Sequence, residues 1–295
     1  MPKVSIIIPV YNAREFIGRC LDSLLDQTFT EWEAICVDDG SIDSSPWILD
    51  DYAVKDPRIK VITQPNAGVS AARNTALGAV SGDFVCFVDS DDFLHPQALE
   101  LACSAAVKEN ADLVAYTYDR SYRTGLAIRH FLGMGDGKRR GFREYDPENM
   151  DYRVTDDIFG YVTEYSDGKI GADSRKWAVK HCQPWRCLYR TSRVGHLRFP
   201  LGIIYEDFPW WGEVLLNVRR AVILNLPLYF YYPNKGSYVS SARQKYRMES
   251  LRKAIELAAE PYRNATERQK SVWEEKFLTP FRSKLEKKIR KYADG

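Results

Sequence analysis

The sequence predicts an α/β fold with a mainly parallel sheet, helices on both faces of that sheet, and a helical C-terminal extension. Short apolar runs alternate with segments of helical periodicity over the first 120 residues. The apolar runs are nearly continuous, as expected for parallel strands that are covered on both faces. From about residue 243 the pattern of apolar residues is helical.

The elements are expected in strict alternation. Val4–Val10 is a buried-strand run, and Arg14–Asp26 carries its apolar residues on one helical stripe. Further strands are expected over 32–37, 58–63, 83–88 and 112–116, and further helices over 46–54, 69–80 and 96–108. The helix over 69–80 is rich in alanine, and the one over 96–108 has a proline near its start. This order is typical of a parallel sheet, because each crossover between parallel strands needs a long connection.

The remainder of the chain is less regular. Residues 119–180 are rich in Gly, Asp, Arg and Tyr with weak periodicity, so we expect an elaboration between the sheet and the C-terminal half. Buried character returns at 185–189, 199–207 and 222–232. We therefore expect three parts, with boundaries at 1–118, 119–242 and 243–295.

Composition and charge narrow the function classes. With 45% hydrophobic and 28% charged residues, the chain is expected to be globular. No apolar run approaches the ~20 residues that cross a bilayer, and Val4–Val10 lacks the flanks of a signal peptide, so a cytoplasmic location is expected. Residues 243–295 hold 15 Lys and Arg against 8 Asp and Glu, a net of +7 that leaves −5 for the rest. This tail suits the anionic inner face of a membrane, and a solvated helix face explains it equally well. No nucleic-acid partner is expected.

The cysteines and histidines indicate neither a disulfide framework nor a metal site. The six cysteines lie mostly in apolar surroundings and form no C-x-x-C pair, so buried free thiols are expected. The four histidines show no metal-ligand spacing and are expected to be structural. The G-x-G-x-x-G and G-x-x-x-x-G-K-[ST] motifs are absent from the sequence, which weighs against dinucleotide-dependent redox and P-loop chemistry.

Carboxylates follow the fourth predicted strand, in the run V-C-F-V-D-S-D-D that ends at Asp92. In parallel sheets, ligands bind outside the carboxyl ends of the strands. Clustered carboxylates repel one another unless a cation neutralises them, and they suit Mg²⁺ or Mn²⁺ shared with a diphosphate. The alternative is that Asp92 caps the following helix.

Two further loops are expected at the same edge. Asp38-Asp39-Gly40-Ser41 offers carboxylates to a nucleobase or ribose, or alternatively forms a turn that caps the next helix. Residues 66–74 form a Gly-containing loop that leads into a helix, where backbone N–H groups favour an anion. Arg73 in this helix is placed to contact a phosphate, or to form a structural ion pair.

A last acidic pair stands among aromatic residues. Glu206 and Asp207 follow Tyr205 and precede Phe208-Pro-Trp-Trp211. An ionised carboxylate beside aromatic surfaces suits a general base that acts on a sugar hydroxyl. Capping a helix or pairing with an arginine is the alternative, and it weighs more for Glu206 than for Asp207.

Together these motifs resemble the family-2 glycosyltransferases, which are inverting enzymes of GT-A fold. The stretches that carry the resemblance are 4–12 (VSIIIPVYN), 37–41 (VDDGS), 66–74 (NAGVSAARN) and 87–92 (FVDSDD). A weaker likeness continues through 185–189, 202–207 and 236–237, and it is closest to bacterial members that build surface polysaccharides.

The resemblance implies a nucleotide-diphosphate sugar donor, most often a UDP-sugar, bound by residues 1–118. The acceptor and catalytic half would be 119–242, followed by the basic extension 243–295. The expected nucleotide-sugar-binding residues are Pro9, Tyr11, Asp38, Asp39, Asn66, Arg73 and Ser90. Among these, Pro9 and Tyr11 would lie near the base and Asp39 would contact uracil.

The resemblance also implies a Mn²⁺ or Mg²⁺ cofactor and an inverting mechanism. Asp89 and Asp91 form the D-x-D pair, with Asp91 the preferred metal ligand, and Asp92 is an additional candidate. Asp207 matches the general base, and Glu206 and Trp185 are further candidate site residues. The acceptor would be a hydroxyl of a glycan or lipid-linked glycan in surface polysaccharide synthesis. A non-catalytic nucleotide-sugar-binding subunit and a D-x-D phosphohydrolase are the competing hypotheses.

Overall fold

The structure is a computed structural model, and it describes residues 3–120, 142–161, 183–232 and 244–293. The described strands are β1 (Val4–Val10), β2 (Trp32–Asp38), β3 (Ile59–Thr63), β4 (Phe84–Phe87), β5 (Phe93–Leu94), β6 (Leu113–Arg120), β7 (Tyr152–Thr155), β8 (Cys187–Arg190) and β9 (Ala221–Tyr231). The described helices are α1 (Ile17–Leu25), α2 (Ser45–Lys55), α3 (Val69–Leu77), α4 (Ala98–Lys108), α5 (Thr191–Val194), α6 (Asp207–Asn217), α7 (Gln244–Ala259), α8 (Glu267–Trp273) and α9 (Thr279–Ala293).

The strands form one sheet in the order β3-β2-β1-β4-β8-β6-β9-β5, and β7 also pairs with β9. The pairs β1–β2, β2–β3 and β1–β4 are parallel, which confirms the predicted parallel sheet for the N-terminal half. On the other side, β8 lies antiparallel between β4 and β6, whereas β6 and β9 are parallel. The sheet is therefore parallel around β1 and mixed beyond β4.

Burial explains the first strands and helices. Every residue of β1 and β2 is buried, as expected for strands that are covered on both faces. Helix α1 begins at Ile17, three residues later than predicted, and its apolar stripe is buried. Helix α3 packs against β1 and β2, and its small residues allow a close approach to the sheet.

The C-terminal helices pack on α6 and are not a separate appendage in the described residues. Helix α7 contacts both α6 and α9. A 3₁₀ turn (Pro261–Asn264) and a π-helical segment (Glu274–Leu278) connect the helices of this region. Trp273 lies at the centre of the region and is only 1% exposed.

Several expectations about side chains can also be compared with the structure. Cys20, Cys36, Cys86, Cys103 and Cys187 are buried free thiols, as predicted. Cys182, His130 and His181 lie outside the described residues, as do most of the predicted elaboration over 119–180 and the likeness at 236–237. Within the described ranges, every helix is too short or too polar to pass through a bilayer.

Candidate active site

The carboxyl ends of β1 and β2 bring the first predicted site residues together. Pro9 is buried within β1, whereas Tyr11 beyond its end is 51% exposed. The Asp39 N–H donates to the Val10 carbonyl oxygen at 2.8 Å, which joins the loops that follow the two strands. The predicted site residues after β1 and β2 therefore lie at the same edge of the sheet.

Asp39 holds the loop that follows β3. Its Oδ1 accepts from Gln64 Nε2 at 2.7 Å and from the Ala67 N–H at 3.0 Å, and its Oδ2 accepts from the Gly68 N–H at 2.8 Å. Asp39 is buried, and Asn66 in the same loop is exposed. A carboxylate with three donors is fixed in position, so Asp39 shapes this loop whatever ligand it contacts.

Asp38 and Gly40 fix the turn after β2. The Asp38 Oδ1 accepts from the Ser41 N–H at 3.2 Å, so this carboxylate closes the turn, and Asp38 is buried. Gly40 has a φ of 71°, and a Cβ atom there would lie 2.8 Å from the Asn66 nitrogen. Only glycine therefore allows the turn after β2 to approach the loop after β3 this closely.

Arg73 connects the two acidic motifs. Its guanidinium donates to Asp89 Oδ1 at 2.9 Å and to Glu206 Oε1 at 2.8 Å, and the side chain is 6% exposed. Burial alone would lower the pKa of Arg73, but the charges of Asp89 and Glu206 outweigh it and raise that pKa. For Arg73 and Glu206, the geometry therefore shows the ion pair that was the alternative to a ligand contact. This pair brings the D-x-D turn (Asp89–Asp91) next to Glu206 and Asp207.

The three aspartates after β4 have different environments. Asp89 and Asp91 are half-buried, as is Ser90 between them, whereas Asp92 is fully buried. Asp92 Oδ2 accepts from the Tyr229 hydroxyl at 2.6 Å, and Oδ1 accepts from the Tyr232 N–H at 2.7 Å.

Burial raises the pKa of Asp92 well above its ordinary value, and the charges of Asp91 and Asp89 add to the effect. Asp92 thus links the turn after β4 to the end of β9. It does not cap α4, which begins only at Ala98.

Asp89 and Asp91 fit a hard divalent cation as a partial ligand set. Both are partly exposed carboxylates of one short turn, and Mg²⁺ or Mn²⁺ takes such oxygen ligands while keeping positions open for water or phosphate. In the described part of the chain, no cluster of three or more acidic, His or Cys side chains is arranged to hold a metal. The protein therefore offers an incomplete set that a substrate diphosphate could complete.

Asp207 is the first residue of α6, one residue after the Arg73 ion pair. Its carboxyl is half-buried, and burial raises its pKa to about 7, with the charge of Glu206 adding to the rise and Arg73 opposing it. A group with this pKa is close to half ionised near neutral pH, which suits a general base. The preceding Tyr205 has a φ of 72°, in the left-handed region that side-chain-bearing residues rarely adopt.

Trp185, the remaining candidate, belongs to an interior aromatic stack. Its ring lies 4.3 Å from that of Tyr229, at an interplanar angle of 19°, and Trp185 is 6% exposed. Since Tyr229 holds Asp92, Trp185 supports the acidic turn through one intermediate residue.

Sequence reasoning missed three partners of the acidic turn. Arg19 of α1 donates to the Asp91 carbonyl oxygen, and its guanidinium lies 4.3 Å from the Tyr232 ring centroid. Tyr229 and Tyr232 provide the donors to Asp92 described above. Arg19 lies outside the apolar stripe of α1, so the sequence pattern gave no signal for its contact with the acidic turn.

The sequence is similar to those of known glycosyltransferases. The glycosyl transferase family 2 model matches residues 5–192. The uncharacterized glycosyltransferase EpsJ of Bacillus subtilis is 45% identical over 242 residues, covering 80% of this chain and 63% of that protein. The chain spans between 31% and 64% of the length of the first four curated relatives it matches.

Solved structures share the fold. S. aureus TarS 1-349, crystallised with UDP-GlcNAc, superposes with a TM-score of 0.67 at 24% identity, covering 95% of this chain and 71% of that one. The mannosyltransferase PcManGT from Pyrobaculum calidifontis, in complex with GDP-Man and Mn²⁺, superposes with a TM-score of 0.54 at 15% identity, covering 96% and 74%. The architecture is thus GT-A, and because the family model covers well over half of the sequence, the chain belongs to glycosyl transferase family 2.

Proposed function

We propose that this protein is an inverting glycosyltransferase that moves a sugar from a nucleotide-diphosphate sugar, a UDP-sugar, to an acceptor hydroxyl. One observation carries the proposal: Arg73 pairs with Asp89 on the donor side and with Glu206 beside Asp207, so the two motifs share one site. The UDP-GlcNAc bound in TarS supports the choice of donor.

The nucleotide would lie across the ends of β1 and β2. The Asp39 Oδ2 accepts a hydrogen bond from the Gly68 N–H, and a carboxylate oxygen can accept a second one from the uracil imide. Exposed Tyr11 would pack against the base, and Pro9, Asp38 and Asn66 would shape the walls of the pocket. Ser90 would contact the donor beside the metal ligands.

Asp89 and Asp91 would hold a divalent cation, Mn²⁺ or Mg²⁺, and the Mn²⁺ of the PcManGT complex supports this assignment. When bound, the cation would supply positive charge to the leaving nucleoside diphosphate. Asp92 is proposed to act structurally, because both of its carboxylate oxygens accept hydrogen bonds, one from Tyr229 in β9 and one from Tyr232 just after it.

Asp207 would act as the general base. It would take the proton from the acceptor hydroxyl while that oxygen forms a bond to the anomeric carbon. The bond from this carbon to the diphosphate oxygen would break on the opposite side, so the configuration inverts. The acceptor is proposed to be a glycan or a lipid-linked glycan.

Replacing Asp207 with Asn tests the base. We expect D207N to lower transfer by ~10²–10⁴ while donor affinity changes little, because the donor lies at the other end of the Arg73 bridge. Sugar transfer from UDP-GlcNAc to a panel of glycan acceptors, with donor affinity measured by calorimetry, gives both quantities. Wild-type turnover in D207N would rule out Asp207 as the base.

For the basic C-terminal tail, we propose electrostatic attachment to an anionic membrane surface. Arg282, Lys284, Lys287 and Arg290 of α9 are exposed. Phe281 on the same helix stacks on Phe208 of α6, so its ring faces protein. The attachment would therefore depend on charge and weaken with salt.

Flotation with anionic vesicles tests the attachment. The double variant K287E/R290E should lose most of the bound fraction, whereas K55E/K108E, two exposed lysines of α2 and α4, should bind like wild type. Equal flotation of all three proteins would contradict the attachment.

A further inference from the structure

The turn that delivers Asp207 is conformationally strained. Tyr205 has a φ of 72°, and Gly202 three residues earlier has a φ of 71°. A left-handed conformation costs an aromatic residue roughly 1–2 kcal/mol, and such strain persists only where the surroundings hold it in place. The Phe208 N–H donates to the Tyr205 carbonyl oxygen at 3.2 Å, so the strained residue sets the start of α6.

The C-terminal helices contact this turn at both of its ends. The Tyr246 hydroxyl of α7 donates to the Gly202 carbonyl oxygen at 3.1 Å. The ammonium group of Lys284 in α9 lies 5.6 Å from the centre of the Tyr205 ring, within reach of a cation–π interaction.

The same helices enclose the residue after Asp207. The Phe208 ring stacks on Phe281 of α9 at 3.9 Å, with the two planes 3° from parallel, and it lies 5.4 Å from the Trp273 ring at the end of α8. Further along α6, the Tyr262 hydroxyl donates to the Gly212 carbonyl oxygen at 3.0 Å. The Phe208 ring is fully buried. Because Phe208 cannot move without breaking this stack, the backbone of Asp207 is held as well.

We infer that helices α7–α9 form a C-terminal clamp that positions Asp207, with Phe281 and Tyr246 as positioning residues. The inference rests on the general-base role proposed for Asp207. It gives α7 and α9 a part in the reaction itself, through Tyr246 and Phe281, in addition to any contact with a membrane. The clamp contacts the turn before Asp207 and the residue after it.

Hydrogen exchange in the ligand-free protein tests the clamp directly. F281A removes the stack on Phe208, and F277A is its matched control. Phe277 is a more deeply buried ring, 3% exposed, which packs on Trp273 at 4.5 Å. We expect F277A to lower the melting temperature more, yet F281A to speed amide exchange over residues 203–211 about tenfold more than F277A does. Equal exchange in the two variants would overturn the inference.

Y246F provides a milder variant that keeps the ring and removes the hydroxyl that donates to Gly202. We expect faster exchange at 203–207 with a melting temperature within about 2 °C of wild type, because one hydrogen bond at a partly exposed site contributes little stability. If exchange is unchanged in Y246F and equal in F281A and F277A, neither Tyr246 nor Phe281 positions Asp207.

Turnover of UDP-GlcNAc separates this inference from the proposed function. F281A should lower kcat about tenfold with the KM for donor unchanged, and F277A should leave both constants near wild type per folded molecule. If D207N turns over donor like wild type, the proposed function fails regardless of the clamp. If D207N is inactive while F281A and F277A behave alike, only the clamp is contradicted.

Discussion

Arg73 is the residue on which the arrangement of the acidic motifs depends. Asp89 and Glu206 are 117 positions apart in the sequence, and each lies within 2.9 Å of one guanidinium. Clustered carboxylates at the end of a buried strand repel one another. Arg73 offsets this repulsion for Asp89, and Arg19 places a second positive charge near Asp91 and Asp92.

The Arg73 bridge predicts a large effect of R73M on stability. Removing one partner of a buried ion pair leaves its carboxylates without a counter-charge, and we expect a loss of about 3 kcal/mol. Arg220 is the matched control, because it also bridges two carboxylates, Glu109 and Asp156, but is 36% exposed. R220M should cost under about 1 kcal/mol. Urea unfolding of both variants measures the difference. Similar losses in the free energy of unfolding would contradict the claim that the acidic motifs depend on Arg73.

The environment of Asp207 predicts the pH dependence of activity. Its pKa is raised to about 7, and a base must be ionised to act, so activity is lost as pH falls through about 7. We expect kcat/KM to fall about tenfold per pH unit below that point and to level off above it. An acid limb near the ordinary aspartate pKa of about 4 would contradict a raised value.

Glu206 provides the control for this pH profile. Its negative charge adds to the rise in the pKa of Asp207. E206Q removes that charge, so we expect the acid limb of kcat/KM to move to lower pH. An unmoved limb would show that Glu206 does not act on the titrating group.

Among the secondary-structure elements, the strands and helices from β1 to β4 were predictable because each repeats a local pattern. The buried run of β1 and the apolar stripe of α1 were both identified, with bounds that differ by at most three residues. Strand β5 was not predicted, because two residues carry no periodicity. The antiparallel insertion of β8 between β4 and β6 depends on pairing between distant segments and leaves no local signal.

The same distinction applies to the candidate site. Asp89 and Asp91 follow the end of β4, where the topology rule for parallel sheets indicates a ligand site, whereas Asp207 was a candidate because it stands in an acidic pair among aromatic residues. The burial of Asp92 was not predictable, because its donors Tyr229 and Tyr232 lie 137 and 140 residues away in the sequence. Likewise, the pairing of Glu206 with Arg73 depends on a contact across 133 residues.

The packing of α8 on α6 predicts the outcome of a glycine substitution. A Cβ atom at Gly212 would lie 2.8 Å from a ring carbon of Trp273, so G212A should destabilise the protein by about 1–2 kcal/mol. In α1, a Cβ atom at Gly18 would meet the Tyr52 hydroxyl at an ordinary 3.6 Å. G18A should therefore stabilise by up to about 1 kcal/mol, through helix propensity.

Thermal unfolding of the two alanine variants measures this difference. A stabilised G212A would mean that α8 does not press against α6 as closely as described. A destabilised G18A would instead indicate that helix propensity is not the deciding term in α1.

At the scale of the whole molecule, the chain joins a parallel half, for which we propose donor binding, to a C-terminal half that contains the proposed base. The link runs from α3 through Arg73 to the start of α6, and from α6 to the C-terminal clamp. In the proposed mechanism, donor binding and base positioning involve different parts of the chain that meet at Arg73, and donor affinity and kcat measure them separately.

Donor binding predicts a rise in melting temperature by mass action. UDP-GlcNAc at about 100 times its dissociation constant, with Mn²⁺, should stabilise the fold by roughly 2.7 kcal/mol, or about 5 °C. A panel of nucleotide sugars scanned with and without Mn²⁺ measures the preference. If nucleotide sugars fail to raise the melting temperature at millimolar concentration, the donor site is wrong.

The most direct test of the account is a crystal structure of the full chain with Mn²⁺ and UDP. We expect an anomalous manganese signal beside Asp89 and Asp91, the diphosphate bound to the same ion, and uracil at the ends of β1 and β2 near Asp39. Manganese and UDP bound away from this edge of the sheet, with Asp89 and Asp91 facing solvent, would contradict it.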